Sequence, residues 1–289
     1  MWALTLVNKT AALLENVRIE QSLFTLPFAY LGMVLASRGL PTLHDFLWIT
    51  VAMVAARSYG MNMNRLIDYK YDAINPAAMD RPLVQGRLSF KEVAAINVAC
   101  IGVLLLAAWQ LNPLCVKLFP IAVLILTFFT FLKRFTWTYN FTIGLSGSGA
   151  PMGAWFGVTG ELSWEPVILG TAVLFWMSGF DIMRDCGGVD FDLAHGLKSV
   201  PTQFGIPIAL VLSTLCHVAV IVFLTLLGTR LELSWPYWIG LGIAAALLSY
   251  EHVLVRPHNL SKINMAFFNV NALLSSVFFV FAFGSLYVP

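Results

Sequence analysis

Residues 93–111, VAAINVACIGVLLLAAWQL, and 114–132, LCVKLFPIAVLILTFFTFL, lie side by side with only Asn112-Pro113 between them. Each has the roughly 20 predominantly apolar residues that a helix needs to cross the hydrocarbon core of a bilayer. Asn112-Pro113 is a break-and-restart signal, because proline cannot continue a helix but suits the first position of a new one. Similar runs recur on both sides, giving nine predicted spans at 22–37, 45–64, 93–111, 114–132, 141–158, 165–183, 206–228, 235–255 and 263–287. The runs do not alternate apolar and polar over about 10 residues, so a transmembrane β-barrel is excluded. Composition agrees: of 289 residues, 59% are hydrophobic and only 11% charged, where soluble domains carry close to a quarter charged. The expected fold is all-α, one polytopic membrane domain over residues 1–289 with nine transmembrane helices. Residues 1–21 carry Lys9, Glu15, Arg18 and Glu20 and no cleavable signal pattern, so the first span is expected to be retained.

The net charge of +2 gives no reason to expect a nucleic-acid partner. The placement of the charges is more informative. Thirteen Lys and Arg fall in the N-terminal segment and the even-numbered loops, against three (Arg38, Lys117, Arg230) on the opposite side, with Arg57 inside the second span. By the positive-inside rule, the N-terminus and the two longest loops, 65–92 and 184–205, are expected in the cytoplasm. Cys100, Cys115, Cys186 and Cys216 have no paired spacing and are read as isolated thiols rather than a disulfide framework or zinc site.

Acids concentrate in the same two loops and the helix ends that lead into them: Asp68, Asp72 and Asp80 in one, Asp181, Asp185, Asp190 and Asp192 in the other. Ionisable groups at a membrane span are costly, which makes both clusters functional candidates. Arg57, Asn64, Asp68 and Asp72 are spaced by seven, four and four residues, so a helix would align them along one face. Asn and Asp oxygens suit a hard cation such as Mg²⁺, which usually takes one or two carboxylates together with a substrate's phosphates. The residues after Asp68 lack the Gly and terminal Glu of an EF-hand. Bases that would meet phosphate oxygens lie close by: Arg65, Lys70, Arg81 and Arg87, then Lys133-Arg134, then Lys198. Gly144, Gly147, Gly149 and Gly153 fall within an apolar run, where they are expected to serve close helix packing and not a nucleotide-phosphate loop.

These segments resemble a known family. Asn64-Arg65-Leu66-Ile67-Asp68-Tyr69-Lys70-Tyr71-Asp72, continuing to Asp80-Arg81-Pro82-Leu83, looks like the N-x-x-x-D-x-x-x-D and R-P-L signature of the UbiA superfamily of intramembrane prenyltransferases. Asp181 through Asp190-Phe191-Asp192 to Gly196-Leu197-Lys198-Ser199 resembles its second aspartate motif, Leu132 to Trp137 its third marker, and Phe24 to Ala29 its opening. Two departures stand out. Gly188 occupies a position where relatives carry Asp, so Asp185 or Asp190 is expected to supply the missing ligand, and Phe129 stands where relatives carry Tyr.

The resemblance implies that the nine transmembrane helices surround a central cavity capped by the two aspartate loops, and that the activity is Mg²⁺-dependent transfer of a polyprenyl group from its diphosphate to an aromatic acid. The acceptor expected is 4-hydroxybenzoate, for a ubiquinone-type quinone, with a hydroxynaphthoate for menaquinone as the alternative. The implied location is a bacterial inner membrane, with the site facing the cytoplasm. The residues it points to are Asp68, Asp72, Asp192 and Arg57 for catalysis, Arg57 as anchor for the acceptor's carboxylate. Asn64, Arg65, Arg81, Lys133, Arg134 and Lys198 are expected to bind substrate, and Asn64, Asp68, Asp72, Asp185, Asp190 and Asp192 to hold metal. A secondary transporter is the competing class, but its charges would sit near the bilayer midplane in two repeated halves, and these acids sit at helix ends.

Overall fold

The structure, a computed structural model, describes residues 2–18 and 22–289, with side chains placed for 9–18 and 25–289. Every described regular element is helical, and the only β-type pairing among the described residues is the isolated Arg256–Asn259 bridge. The helices are α1 (Trp2–Asn16), α2 (Ser22–Ser37), α3 (Leu43–Asp72), α4 (Phe90–Leu111), α5 (Pro113–Phe128), α6 (Tyr139–Thr159), α7 (Trp164–Asp185), α8 (Val189–Ala194), α9 (Val200–Phe204), α10 (Ile206–Arg230), α11 (Trp235–Leu254) and α12 (Asn271–Gly284). Among the described residues, six helical stretches are long and apolar enough to cross a membrane: Phe90–Leu111, Pro113–Arg134, Trp164–Ala194, Ile206–Arg230, Trp235–Leu254 and Met265–Gly284. This makes the chain an integral membrane protein.

The other three predicted runs are also helical but fall short of that standard. Helix α2 has only 16 residues. Helix α3 has 30, but it buries Asn62, Arg65 and Asp72 along its length. Helix α6 is diluted by Ser, Thr, Asn and Gly. Polar residues that turn into a bundle lower a helix's mean hydropathy without exposing anything polar to lipid.

Local chemistry sets the breaks. Asn112 ends α4 and caps α5, its side chain accepting from the Cys115 amide at 3.1 Å, while its Nδ2 donates to the carbonyls of Phe156 and Gly157 at 2.8 and 2.9 Å. One residue thus joins three helices, and α6 stops beside it at Gly160, whose φ of 68° is a left-handed cap. Ser89 and Glu92 form a reciprocal capping box that starts α4.

The main core lies among α2, α6, α7, α10, α11 and α12, around the fully buried Trp176, Tyr237 and Phe278. Gly144 and Gly147 lie directly against Leu174 and Met177 of α7, where a side chain would collide. Gly149 and Gly153 face open space, so close packing explains only two of the four glycines for which it was expected. Cys186 and Cys216 are buried and Cys100 and Cys115 half-buried, all as free thiols.

Candidate active site

Helix α3 continues unbroken past its apolar part, which ends near residue 64, and carries the first acidic motif on its last two turns. Asn64 Nδ2 donates to Asp68 Oδ2 at 2.9 Å. Arg65 points elsewhere: it is buried, donating from Nη1 to Asn64 Oδ1 at 3.3 Å and from Nε to the Asn16 carbonyl at 3.4 Å. It therefore orients Asn64 and pins α1 to α3. After α3, Asn75 caps a short turn over Pro76–Ala78, and the chain returns so that Arg81 pairs with Asp72. Arg57 lies three turns deeper on the Asp68 face, at about 1.5 Å of rise per residue, and its Nη2 donates to the Arg18 carbonyl at 3.3 Å.

The second motif straddles a junction. Helix α7 ends at Asp185, a single turn of tighter 3₁₀ helix covers Cys186–Gly188, and α8 restarts at Val189. Asp181, Asp185 and Asp192 are all buried. Arg184 Nη2 lies 2.7 Å from Asp181 Oδ1 and 3.6 Å from Asp185 Oδ1. From α6, Asn140 Nδ2 bridges Asp181 Oδ2 and Asp185 Oδ2, both at 2.8 Å, while its Oδ1 accepts from the Val200 amide at 2.9 Å.

The two motifs meet at one turn. Residues Phe129–Arg134 form a 3₁₀ helix, in which successive side chains diverge by about 120°. Lys133 reaches Asp192 at 2.9 Å and Asp185 at 3.9 Å. Its neighbour Arg134 turns the other way, to the Ile67 carbonyl at 2.6 Å and Asp68 Oδ1 at 3.4 Å. The Lys198 amide holds this turn by donating to the Lys133 carbonyl at 2.7 Å, although the Lys198 side chain itself is exposed. Asp190 is exposed and makes no ion pair among the described residues, so the structure does not bring it to the cluster. Lys70 is also exposed, on the side of α3 away from Asp68.

Sequence reading missed Asn140 as a site residue and left Arg184 out of it. The available signals were an amide at the start of an otherwise apolar run and a guanidinium three residues after Asp181. Neither reveals which carboxylate it meets until the helices pack.

Among the described residues, no three acidic, histidine or cysteine side chains converge on a common point, because each buried aspartate is drawn to a cation. The first motif has the donor types of a hard divalent ion, two carboxylates and an amide oxygen on one helix face, and an ion there would take the place of Arg65, Arg81 and Arg134 as their partners. Burial, and then the negative charge of Asp72, push the Asp68 carboxyl up to about 6, against the pull of Arg134 and Lys133. A carboxylate short of positive charge in this way is stabilised by a bound cation.

The chain has relatives among known proteins. The chain is 33% identical over 252 residues, covering 86% of it and 83% of the relative, to the 4-hydroxybenzoate octaprenyltransferase of Methylobacillus flagellatus. The apo structure of a UbiA homologue from Aeropyrum pernix K1 superposes with a TM-score of 0.83 at 26% identity, covering 91% of this chain and 97% of that one. A UbiA homologue from Archaeoglobus fulgidus, bound to DMAPP and Mg²⁺, shares the fold at a TM-score of 0.72 and 18% identity, over 96% of this chain and 99% of that one. The sequence pattern of the UbiA prenyltransferase family matches residues 25–277, and with that match the chain belongs to the UbiA prenyltransferase family.

Proposed function

We propose that this aromatic prenyltransferase moves a polyprenyl group from its diphosphate to 4-hydroxybenzoate, in the formation of a ubiquinone-type quinone. The observation that carries the reading is the Phe129–Arg134 turn, which hands Lys133 to the second aspartate set and Arg134 to the first. A diphosphate between the two sets would meet Lys133, Arg134 and Arg81, cations already gathered by the aspartates it would approach. Mg²⁺ at Asn64, Asp68 and Asp72 would supply Lewis-acid neutralisation of the leaving diphosphate. The relatives support this: one is named for octaprenyl transfer to 4-hydroxybenzoate, and another was solved with a prenyl diphosphate and Mg²⁺.

In the proposed reaction the allylic C–O bond breaks, the ring carbon ortho to the phenol forms the new C–C bond, and the displaced ring proton leaves with the diphosphate. Arg57, deeper on the Asp68 face, would hold the acceptor's carboxylate. Aromatic and aliphatic side chains of the bundle exclude the water that would quench an allylic cation. We further propose that the nine predicted runs all span, including α2, α3 and α6, that both aspartate loops face the cytoplasm, and that the membrane is a bacterial inner membrane.

The test is purified protein in lipid nanodiscs with labelled polyprenyl diphosphate, Mg²⁺ and a panel of aromatic acids. Prenylated 4-hydroxybenzoate is the expected product. Product from a hydroxynaphthoate alone would move the reading to menaquinone synthesis, and no product from any aromatic acid would reject it.

A further inference from the structure

The end of α7 carries three large side chains spaced four residues apart, Trp176, Phe180 and Arg184, and such a spacing places them along one helix face. Asp181 and Asp185 sit beside that stripe, with Arg184 Nη2 at 2.7 and 3.6 Å from their carboxylates. All three members of the stripe meet the segment that opens the last helix. Trp176 Nε1 donates to Asn271 Oδ1 at 2.6 Å. The rings of Phe180 and Phe267 meet edge to face, their centres 5.3 Å apart. The guanidinium carbon of Arg184 lies 5.2 Å over the ring of Phe267. One phenylalanine ring is thus set both under the arginine of the second motif and against the phenylalanine one turn deeper.

Phe267 is held there by an unusual piece of backbone. Met265–Val270 is a turn of π-helix, bonded five residues apart instead of four, a rare geometry found mostly at functional sites. The wider turn moves main-chain carbonyls off the regular α ladder, and a buried carbonyl needs a donor. Asn271 supplies it: its Nδ2 reaches the Ala266 and Phe267 carbonyls at 3.1 and 3.2 Å, and also the carboxyl of Glu251 on α11. Asn271 and Glu251 are both fully buried. The nearby histidines are occupied with each other. The Thr214 hydroxyl donates to the Leu210 carbonyl at 2.9 Å, so it accepts from His252 Nδ1 at 3.3 Å, and His252 Nε2 accepts from His217 Nδ1 at 2.9 Å. His217 Nδ1 stays 3.8 Å from Glu251 Oε2, beyond hydrogen-bond reach. Glu251 therefore serves Asn271 as an acceptor oxygen.

We propose that Phe267, set in place by Asn271 and Glu251, is a positioning residue of the second aspartate motif: its ring fixes the plane of the Arg184 guanidinium, and through it the orientation of Asp181 and Asp185 toward the donor's diphosphate. A guanidinium stacked on an aromatic face keeps its edge N–H groups for carboxylates, because the ring occupies the face alone. The Arg184 side chain is 40% exposed, which leaves it free to turn toward water once that face is lost. The inference rests on the diphosphate reading above and adds to it residues that touch no substrate.

The experiment is steady-state prenylation by the full-length protein in nanodiscs, with donor and acceptor varied separately and thermal unfolding run alongside. Phe267→Leu is expected to raise the donor's KM about threefold to thirtyfold, the range for losing one cation–π contact. The acceptor's KM should stay unchanged, and Phe267→Tyr, which restores the ring, should stay close to wild type. In an Arg184→Gln background the same Phe267→Leu change should add less than about twofold, because no cation is left for the ring to position. Asn271→Leu should reproduce the rise seen with Phe267→Leu, whereas Glu251→Gln, which keeps an acceptor oxygen, should not. A Phe267→Leu protein with the wild-type donor KM, or one whose effect is equal with and without Arg184, overturns the inference alone. An Arg184→Gln protein with the wild-type donor KM overturns the diphosphate reading of the second motif as well. The cycle between Phe267 and Arg184 decides even if the Asn271 variant does not fold.

Discussion

Asn140→Leu is the sharpest test of the second motif, because the residue touches no proposed substrate and carries no charge. The substitution keeps the volume and removes two hydrogen bonds to carboxylates, each 2.8 Å, and one from the Val200 amide at 2.9 Å. Hydrogen bonds to charged groups contribute about 1.5–3 kcal/mol each and a neutral one about 1, so the full loss would be near 4–7 kcal/mol. Asp181 and Asp185 keep Arg184 and Lys133, and the partly exposed Arg184 lets water reach the edge of the cluster, so about half of that sum should remain. A loss of about 2–3 kcal/mol corresponds to roughly 30- to 150-fold in kcat/KM. The assay is steady-state prenylation in nanodiscs, with thermal unfolding run in parallel to separate misplaced carboxylates from lost protein. Asn140→Asp should be worse than Asn140→Leu, since it sets a third carboxylate against two others. The reasoning is refuted if Asn140→Leu stays within about threefold of wild type, or if Asn140→Asp is the more active variant.

Asp68→Ala and Asp72→Ala should each abolish most turnover, chelation should do so reversibly, and Asn64→Ala should cost less because it removes a neutral ligand; retained activity in either aspartate variant removes the first motif from the metal site. For sidedness, Ala77→Cys and Ser163→Cys, both exposed, should react with an impermeant thiol reagent from opposite sides of the membrane, Ala77→Cys from the cytoplasm; the reverse pattern inverts the proposed topology. Arg87 donates to both oxygens of Glu15, at 2.7 and 2.6 Å, and holds that carboxyl below its ordinary range. A carboxylate with a lowered folded-state value contributes stability above its unfolded value and loses it as pH falls through the folded one, so hydrogen-exchange protection at Gly86–Leu88 should drop on acidification, and Glu15→Gln should show the same loss at neutral pH.

The fold was legible where its causes are local. Asn112-Pro113 marks a helix break because an amide cap and a proline act on adjacent backbone, and α4 and α5 do meet there. The alignment of Asn64, Asp68 and Asp72 was equally local, since residues four apart share a face of any helix that continues, and α3 continues to Asp72. The apolar criterion ended that span near residue 64 because it registers lipid contact, whereas the helix is propagated by backbone hydrogen bonds and by polar contacts such as Arg65 with Asn16 and Asn64. Illegible were the partners: that Lys133 and Arg134, adjacent in the chain, serve different aspartate sets depends on a switch from α to 3₁₀ geometry after Phe128. No composition signal marks that switch. Asn140 belongs with them, since its three contacts lie 41, 45 and 60 residues away.

The second motif shows where spacing arguments fail. Asp185 and Asp190 were equal candidates for the ligand missing at Gly188 only while residues 181–192 were treated as one helix. The chain instead leaves α7 at Asp185, makes one tighter turn through Cys186–Gly188 and starts α8 at Val189, so the angular count is lost across the junction. Within α8, positions 190 and 192 are separated by about 200°, which turns one inward and the other to solvent. Asp192 is the inward one, buried against Lys133, and Asp190 is exposed. Asp185 remains on α7 beside Arg184 and Asn140 and belongs to the buried cluster. Asp190→Asn should therefore leave both the Mg²⁺ titration and turnover within about twofold of wild type, as expected for an exposed charge without a partner. Asp192→Asn should lose at least about tenfold in turnover, because it leaves Lys133 buried with a weaker counter-ion. A large effect of Asp190→Asn on the metal titration would mean that α8 turns over when substrate binds, and would reinstate Asp190 as a ligand.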